Sequence, residues 1–439
     1  MKNYQQISEA VSDHQKTFLA GLKKVMQVAS VKGESLVDAP FGVEPKRVLE
    51  VALALAEELG FETKLVNNAM GYVQYGPNNS EYIGIVGHLD VVEAGDGWSY
   101  PPFDLTLDER TGKIYGRGIL DNKGPAISTL YGLWVLKELK IPLTKTVRII
   151  FGTDEESGSA DIPLYLAKEQ PPIYGFTPDC KYPAVYGERG MVALTIKTTL
   201  PARELEQIQQ LKGNFTRSSV PDNLKVQLAS GEYRVVKGIR APSNAPDMGE
   251  NVITKFATLA SSQSLITGKL KDYFTWLSNS LDGKHDGSGL GIDFSDEASG
   301  KLMLTPYDFE LKSEEIWLTL SIRYPISVTE ADILAELNQH LPLNSVIDVS
   351  RRMPSTSFPK DHLMLKIMQE VYEACTGLDG TPVTTTGATY ARTMPNIIAF
   401  GPSFPGQKGI AHNKDEYMDL TDLMKNMQIY ALTIAELAK

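Results

Sequence analysis

The sequence predicts an α/β protein, a mixed sheet flanked by helices, with an α+β domain inserted into it. Three observations carry this expectation. Apolar runs of strand length, Tyr82-Ile83-Gly84-Ile85-Val86-Gly87 and Val147-Arg148-Ile149-Ile150-Phe151, alternate with segments of helical period, as in a sheet covered on both faces. After Tyr186 the texture changes, and Met191–Thr198 and Trp317–Tyr324 alternate apolar with polar residues, the mark of half-buried strands. Beyond about residue 355 the first texture returns. The expected organisation is therefore a first domain in two parts, 1–186 and 356–439, with residues 187–355 inserted between them.

Each element has its own signal. Phe18, Leu19, Leu22, Val25 and Met26 recur at helical spacing, and the loop Val37-Asp38-Ala39-Pro40-Phe41-Gly42 follows. A second helix is expected from Pro45 to Leu59, with proline in the first turn and Gly60 past the end. A third, Pro125–Leu139, follows a glycine-rich turn. In the insert, helices are expected at Ala202–Leu211, Asn251–Leu265 and Glu330–His340 between alternating strands, giving ferredoxin-like βαβ units with helices on one sheet face. Pro354–Lys360 reads as a return linker, followed by helix Asp361–Thr376 and strand Ile397–Phe400.

Composition removes several function classes. The chain has 439 residues, 42% of them hydrophobic and 22% charged, a balance that excludes fibrous and wholly disordered proteins. Lys+Arg number 43 against 54 Asp+Glu, for a net charge of −11. An acidic chain without a basic cluster is not built to hold nucleic acid or an anionic membrane. No apolar run approaches the ~18 residues of a membrane span. The start, MKNYQQISEAVSDHQ, lacks the apolar core of a signal peptide. Cys180 and Cys375 are too few for a disulfide framework, so a reducing, cytoplasmic setting is expected.

The chemistry concentrates at strand ends and glycine-rich turns, where a sheet fixes side chains and loops leave them open. In Gly87-His88-Leu89-Asp90, residues i and i+2 share a side of an extended chain. Asp90 can then accept a hydrogen bond from one imidazole nitrogen of His88 and leave the other basic for a metal. Gly116–Gly124 carries Asp121 out on a turn, and a carboxylate with two oxygens can bridge two cations. Thr153-Asp154-Glu155-Glu156 follows a buried strand, so one glutamate can bind metal while its neighbour faces a water. Asp179 and His412 complete the set. Imidazole and carboxylate without thiolate suit Zn²⁺, with Mn²⁺ or Co²⁺ as alternatives, in an open site. Two such ions lie ~3.5–4 Å apart and generate hydroxide near neutral pH.

The motifs GHLDVV, GRGILDNKGP, GTDEESGS and AHNKDEYM resemble, in order, those of the co-catalytic zinc peptidases, the family of carnosinase, aminoacylase and carboxypeptidase G. The resemblance is strongest to the PepV-type dipeptidases and covers nearly the whole chain. It implies a two-part zinc-peptidase domain carrying an inserted lid, and two bound divalent ions. Asp121 would bridge them, His88 and Asp179 would hold one, and Glu156 and His412 the other. Glu155 would be the general base and Asp90 would orient His88. Arg323, in Ser321-Ile322-Arg323-Tyr324-Pro325, would hold the carboxylate of a dipeptide. Gly387 and Arg392, in Gly387-Ala388-Thr389-Tyr390-Ala391-Arg392, match a substrate-binding loop. The long insert resembles the PepV lid, which imitates a partner's, so a monomer is expected.

The lid departs from the family pattern. Where relatives carry a histidine that stabilises the oxyanion, Gly238–Asn251 has Pro242, and Ser218 replaces a second polar residue, an asparagine. Loss of one oxyanion donor typically costs ~10²–10³ in rate, and Arg240 and Asn244 are the nearest substitutes. The expected function is hydrolysis of dipeptides. The alternatives are an N-acyl amino acid deacylase on the same scaffold, or a metal-loaded peptide binder with weak catalysis.

Overall fold

The computed structural model describes residues 3–77, 80–263, 265–407 and 410–439. The chain divides into two compact units. The first comprises residues 1–186, 358–383 and 387–439, and the second residues 187–357 and 384–386.

The first unit is built on a mixed sheet. Its centre is parallel, with Thr146–Gly152, Tyr82–His88, Tyr174–Thr177 and Ile397–Ala399 side by side, and Met70–Tyr75 and Glu62–Val66 extend it antiparallel at one edge. Every residue of Tyr82–His88 is buried, which explains its unbroken apolar reading. Helix Lys123–Glu138 is buried along nearly its whole surface, as an all-round apolar helix must be. It packs beside Tyr82–His88 and against helix Leu420–Leu437. The approach to Leu420–Leu437 is close enough that a Cβ on Gly132 would lie 3.1 Å from Ala431 N.

The second unit centres on four antiparallel strands in the order Met303–Leu311, Glu315–Tyr324, Gly190–Thr199, Ser345–Met353. Helices intervene between the first and second strands of the chain and between the third and fourth, the ferredoxin-like arrangement. Leu194, Ile196, Leu318, Leu320 and Ile322 from the sheet meet Phe256, Phe274 and Leu277 of helices Val252–Ser262 and Gly268–Leu281. Asn251 caps the first of these by accepting from Ile253 N at 2.9 Å.

One expectation needs correction. The helix expected at Ala202–Leu211 is one turn, Ala202–Leu205, followed by strand Ile208–Gly213, which pairs with Asn223–Leu228 and through it with Tyr233–Lys237. Leu205, Ile208 and Leu211 have helical spacing, but a bulge at Gln209 shifts the register. Ile208 then pairs with Leu228 and Leu211 with Val226, so an i, i+3 pair lands on one strand face. Within the expected linker, Thr356–Ser357 pairs with Gly187–Glu188.

Candidate metal centre

Parallel strands deliver the site residues from their carboxyl ends. His88 ends Tyr82–His88, Glu155 and Glu156 form a single 3-10 turn just after Thr146–Gly152, and Asp179 follows Tyr174–Thr177. These three strands are neighbours in the sheet. Asp121 sits on the turn before helix Lys123–Glu138. The turn folds so tightly that a Cβ on Gly124 would lie 2.1 Å from Ile119 O. The peptide bond after Asp121 is cis, and His412 has φ 64°, a backbone conformation that costs a non-glycine residue energy and clusters at functional sites.

These side chains converge. His88 Nε2 lies 3.0 Å from Asp121 Oδ1 and 3.6 Å from Asp179 Oδ2. His412 Nε2 lies 3.1 Å from Asp121 Oδ2 and 3.0 Å from Glu156 Oε2. Asp121 thus offers one oxygen to each imidazole. Ligand atoms of His88, Glu155 and Asp179 fall within 4.8 Å of one another, as do those of His88, Asp121 and Glu156. Two imidazoles and four carboxylates, with no thiolate, fit divalent ions such as Zn²⁺ or Mn²⁺.

Electrostatics follow from the crowding. Burial works to lower the pKa of His88, but Asp121, Asp90 and Asp179 outweigh it and hold the imidazole well above its usual value. His412 is pushed up to about 10 by its bonds to Asp121 and Glu156. Burial raises the Asp121 carboxyl, yet the two imidazoles bring it well below the carboxylate range. Glu155 is held well above that range by burial and by the charge of Asp179.

Buried groups fix the framework beneath. His88 Nδ1 faces the Asp90 carbonyl at 2.9 Å and its carboxylate at 3.5 Å. The Asp90 carboxylate also accepts Glu155 N at 3.2 Å and Glu156 N at 3.1 Å, so it holds the glutamate turn as well as the histidine. Asn122 donates to Pro178 O at 2.6 Å, tying the Asp121 turn to the Asp179 segment. Asp161, which the sequence reading passed over, accepts Thr153 N, Asp154 N and the Tyr390 hydroxyl. A Cβ on Gly152 would collide with that hydroxyl. Its only sequence signal is its place three residues beyond Gly158 in an acidic motif.

The expected substrate residues fall in both units. In the first, Arg392 donates to Gly387 O at 3.2 Å, closing the loop Gly387–Arg392 on itself. In the second, Arg323 on strand Glu315–Tyr324 donates to Thr386 O at 2.6 Å. Arg240, Pro242 and Asn244 are exposed, while Ala241 and Ser243 between them are buried. The remaining histidines take structural roles where contacts are seen: His362 caps helix Leu363–Thr376, and His14 packs on Trp134.

An α/β unit with imidazoles and carboxylates gathered at the ends of parallel strands is suited to metal-dependent hydrolysis. The chain belongs to peptidase family M20/M25/M40, whose model matches residues 84–436, and it is a hydrolase acting on peptide bonds. It is 29% identical over 479 residues to the Beta-Ala-Xaa dipeptidase of Lactobacillus delbrueckii subsp. lactis, covering 100% of this chain and 98% of that protein. Human carnosine dipeptidase 1 superposes with a TM-score of 0.62 at 16% identity over 99% of both chains. Bacillus subtilis YXEP, described as a dinuclear metal binding peptidase, superposes with a TM-score of 0.54 at 12% identity, covering 96% of this chain and 99% of that one. Among the described residues, no helix is long and apolar enough to cross a membrane.

Proposed function

We propose that this chain is a metal-dependent dipeptidase with two divalent ions, Zn²⁺ foremost. The observation that carries the reading is the placement of Asp121, with one oxygen toward His88 and the other toward His412. His88 and Asp179 would hold one ion, Glu156 and His412 the other, and Asp121 both. When bound, such ions polarise the scissile carbonyl and acidify water near neutral pH. Glu155, grouped with His88 and Asp179 but left over once the five ligands are assigned, takes the proton of the attacking water and returns it to the departing amine. Water is thereby added across the amide, its oxygen to the carbonyl carbon and its protons to the new carboxyl and amino groups. Asp90 keeps His88 oriented. Arg323 forks onto the substrate carboxylate, and Gly387 and Arg392 contribute to substrate binding. The Lactobacillus relative named for β-Ala-Xaa dipeptides supports a two-residue substrate.

Pro242 favours a second reading, slow turnover or a narrower substrate set, because proline has neither a side-chain donor nor a backbone N–H. A panel of dipeptides and N-acyl amino acids, assayed on protein of measured metal content, separates the readings. Cleavage of dipeptides above acyl amino acids supports the proposal. The reverse order makes the chain a deacylase, and binding without turnover makes it a peptide binder.

A further inference from the structure

The segment that presents His412 has a second buried anchor. Glu416, four residues further on, is 0% exposed. Its Oε1 accepts the backbone N–H groups of Gly118 at 3.1 Å, Leu120 at 2.9 Å and Asp121 at 3.2 Å. Its Oε2 accepts Arg117 Nη1 at 2.7 Å, and its own carbonyl accepts Gly116 N at 3.1 Å. Arg117, also buried, is held in turn by the Glu93 and Ala94 carbonyls. One carboxylate thus occupies the concave side of the turn that carries Asp121, in the manner of an anion seated in a backbone nest. A buried ion pair is weak evidence for stability, since apolar residues of similar volume often serve as well. Its placement has a better explanation in what it joins.

The contacts form a closed ring. The Asp121 backbone donates to Glu416, the chain runs back four residues to His412, and His412 Nε2 meets Asp121 Oδ2 at 3.1 Å. We propose that Glu416 is a positioning residue for the metal centre. It locks the Asp121 turn and the His412 segment, remote in sequence, into one unit, so that the two Asp121 oxygens point to two different ions. The inference rests on the metal-centre reading above.

The test is Zn²⁺ affinity and stoichiometry, measured by competition with a chromophoric chelator on the full chain. Wild type is compared with Glu416→Ala, with Glu416→Asp, which retracts the carboxylate by one methylene, and with Leu277→Ala in the second unit as a destabilised control. Tm of the metal-free proteins is recorded in parallel. Residues that orient metal ligands typically contribute ~10–100-fold in affinity, and a loss of that size is expected in both Glu416 variants. Leu277→Ala should lower Tm and leave Zn²⁺ affinity unchanged. The proposal is overturned if folded Glu416 variants bind two ions as tightly as wild type, or if Leu277→Ala loses as much affinity as they do. If Glu416→Ala does not fold, Glu416→Asp decides. A wild type that binds no Zn²⁺ sinks the metal-centre reading itself, and that outcome is visible before any variant is measured.

Discussion

The turn Thr153–Ser157 in the first unit and the loop Gly238–Asn251 in the second are held in opposite ways. Around the turn, buried carboxylates take the backbone donors: Asp90 those of Glu155 and Glu156, Asp161 those of Thr153 and Asp154. In the loop, backbone pairs with backbone, with Val220 N on Ala241 O and Ser243 N on Ser218 O, both near 2.9 Å. The side chains of Arg240, Pro242 and Asn244 are left exposed. The difference teaches where each region tolerates change. Groups that must stand within ångströms of one another are fixed by buried carboxyl groups that each take two backbone donors, and removing such an acceptor would leave those donors unsatisfied. The loop's backbone pairing does not depend on its exposed side chains, so substitutions there should leave it folded.

The first way to break the comparison is at Glu155. Glu155→Gln keeps shape and removes the base, which contributes ~10²–10⁴-fold in rate. Activity should fall by that factor while metal content holds. Glu156→Gln should weaken metal binding instead. Full turnover by Glu155→Gln would reverse the roles assigned within the pair.

The second acts on the loop. On the proposed reading, Pro242→His would restore an oxyanion donor worth up to ~10²–10³ in rate, with the gain in kcat and little change in KM because such an interaction belongs to the transition state. Stability should stay near wild type, since Pro242 is exposed. If Pro242→His changes nothing, and Arg240→Ala and Asn244→Ala are both silent on a protein that cleaves dipeptides fast, the loop supplies no donor and this expectation is wrong.

Much of the fold was legible because burial leaves a direct mark on sequence. Tyr82–His88 and Thr146–Gly152 read as core strands because both faces are covered. The convergence of His88, Asp121, Glu155, Glu156, Asp179 and His412 was legible because each stands in a short motif at a strand end or turn. What escaped around the site has a common cause. Asp161 and Glu416 work on backbone N–H groups, which every residue carries, so no side-chain pattern announces the partner. The bulge at Gln209 escaped because one added residue turned a strand's spacing into a helix's.

A third measurement sharpens the electrostatic side. His88 and His412 both have raised pKa values, His412 to about 10, so the carboxylates around them favour the protonated imidazoles in the metal-free protein. This contribution to stability is fully present below the ordinary imidazole pKa, and for His412 it is lost as pH rises through about 10. Metal ligation requires neutral imidazole, so binding must release protons. Zn²⁺ affinity should rise about tenfold per pH unit for each proton released. Calorimetry in buffers of different ionisation enthalpy counts those protons, and a count of zero would show that the two histidines do not bind metal from a protonated state.

The smallest effect expected is at Asp161, beneath the glutamate turn. Its Oδ2 accepts Thr153 N at 2.8 Å, Asp154 N at 3.1 Å and the Tyr390 hydroxyl, while Oδ1 is buried without a hydrogen-bond partner among the described residues. Burial pushes its carboxyl up to about 7, despite the hydroxyl of Tyr390. The folded state therefore holds the proton more tightly than the unfolded chain. The resulting stability is full below the ordinary aspartate pKa and is lost as pH rises toward 7. Asparagine reproduces the protonated form, with an acceptor oxygen for the three donors and no charge to bury. Asp161→Asn should match wild type near pH 4 and exceed it by about 3 kcal/mol by pH 7, read as the difference between two urea-denaturation series on metal-free protein. Tyr390→Phe should cost about 1 kcal/mol at either pH through the lost hydrogen bond. Parallel curves for wild type and Asp161→Asn would mean that Asp161 is already ionised in the folded protein, and that the turn carrying Glu155 rests on a buried charge.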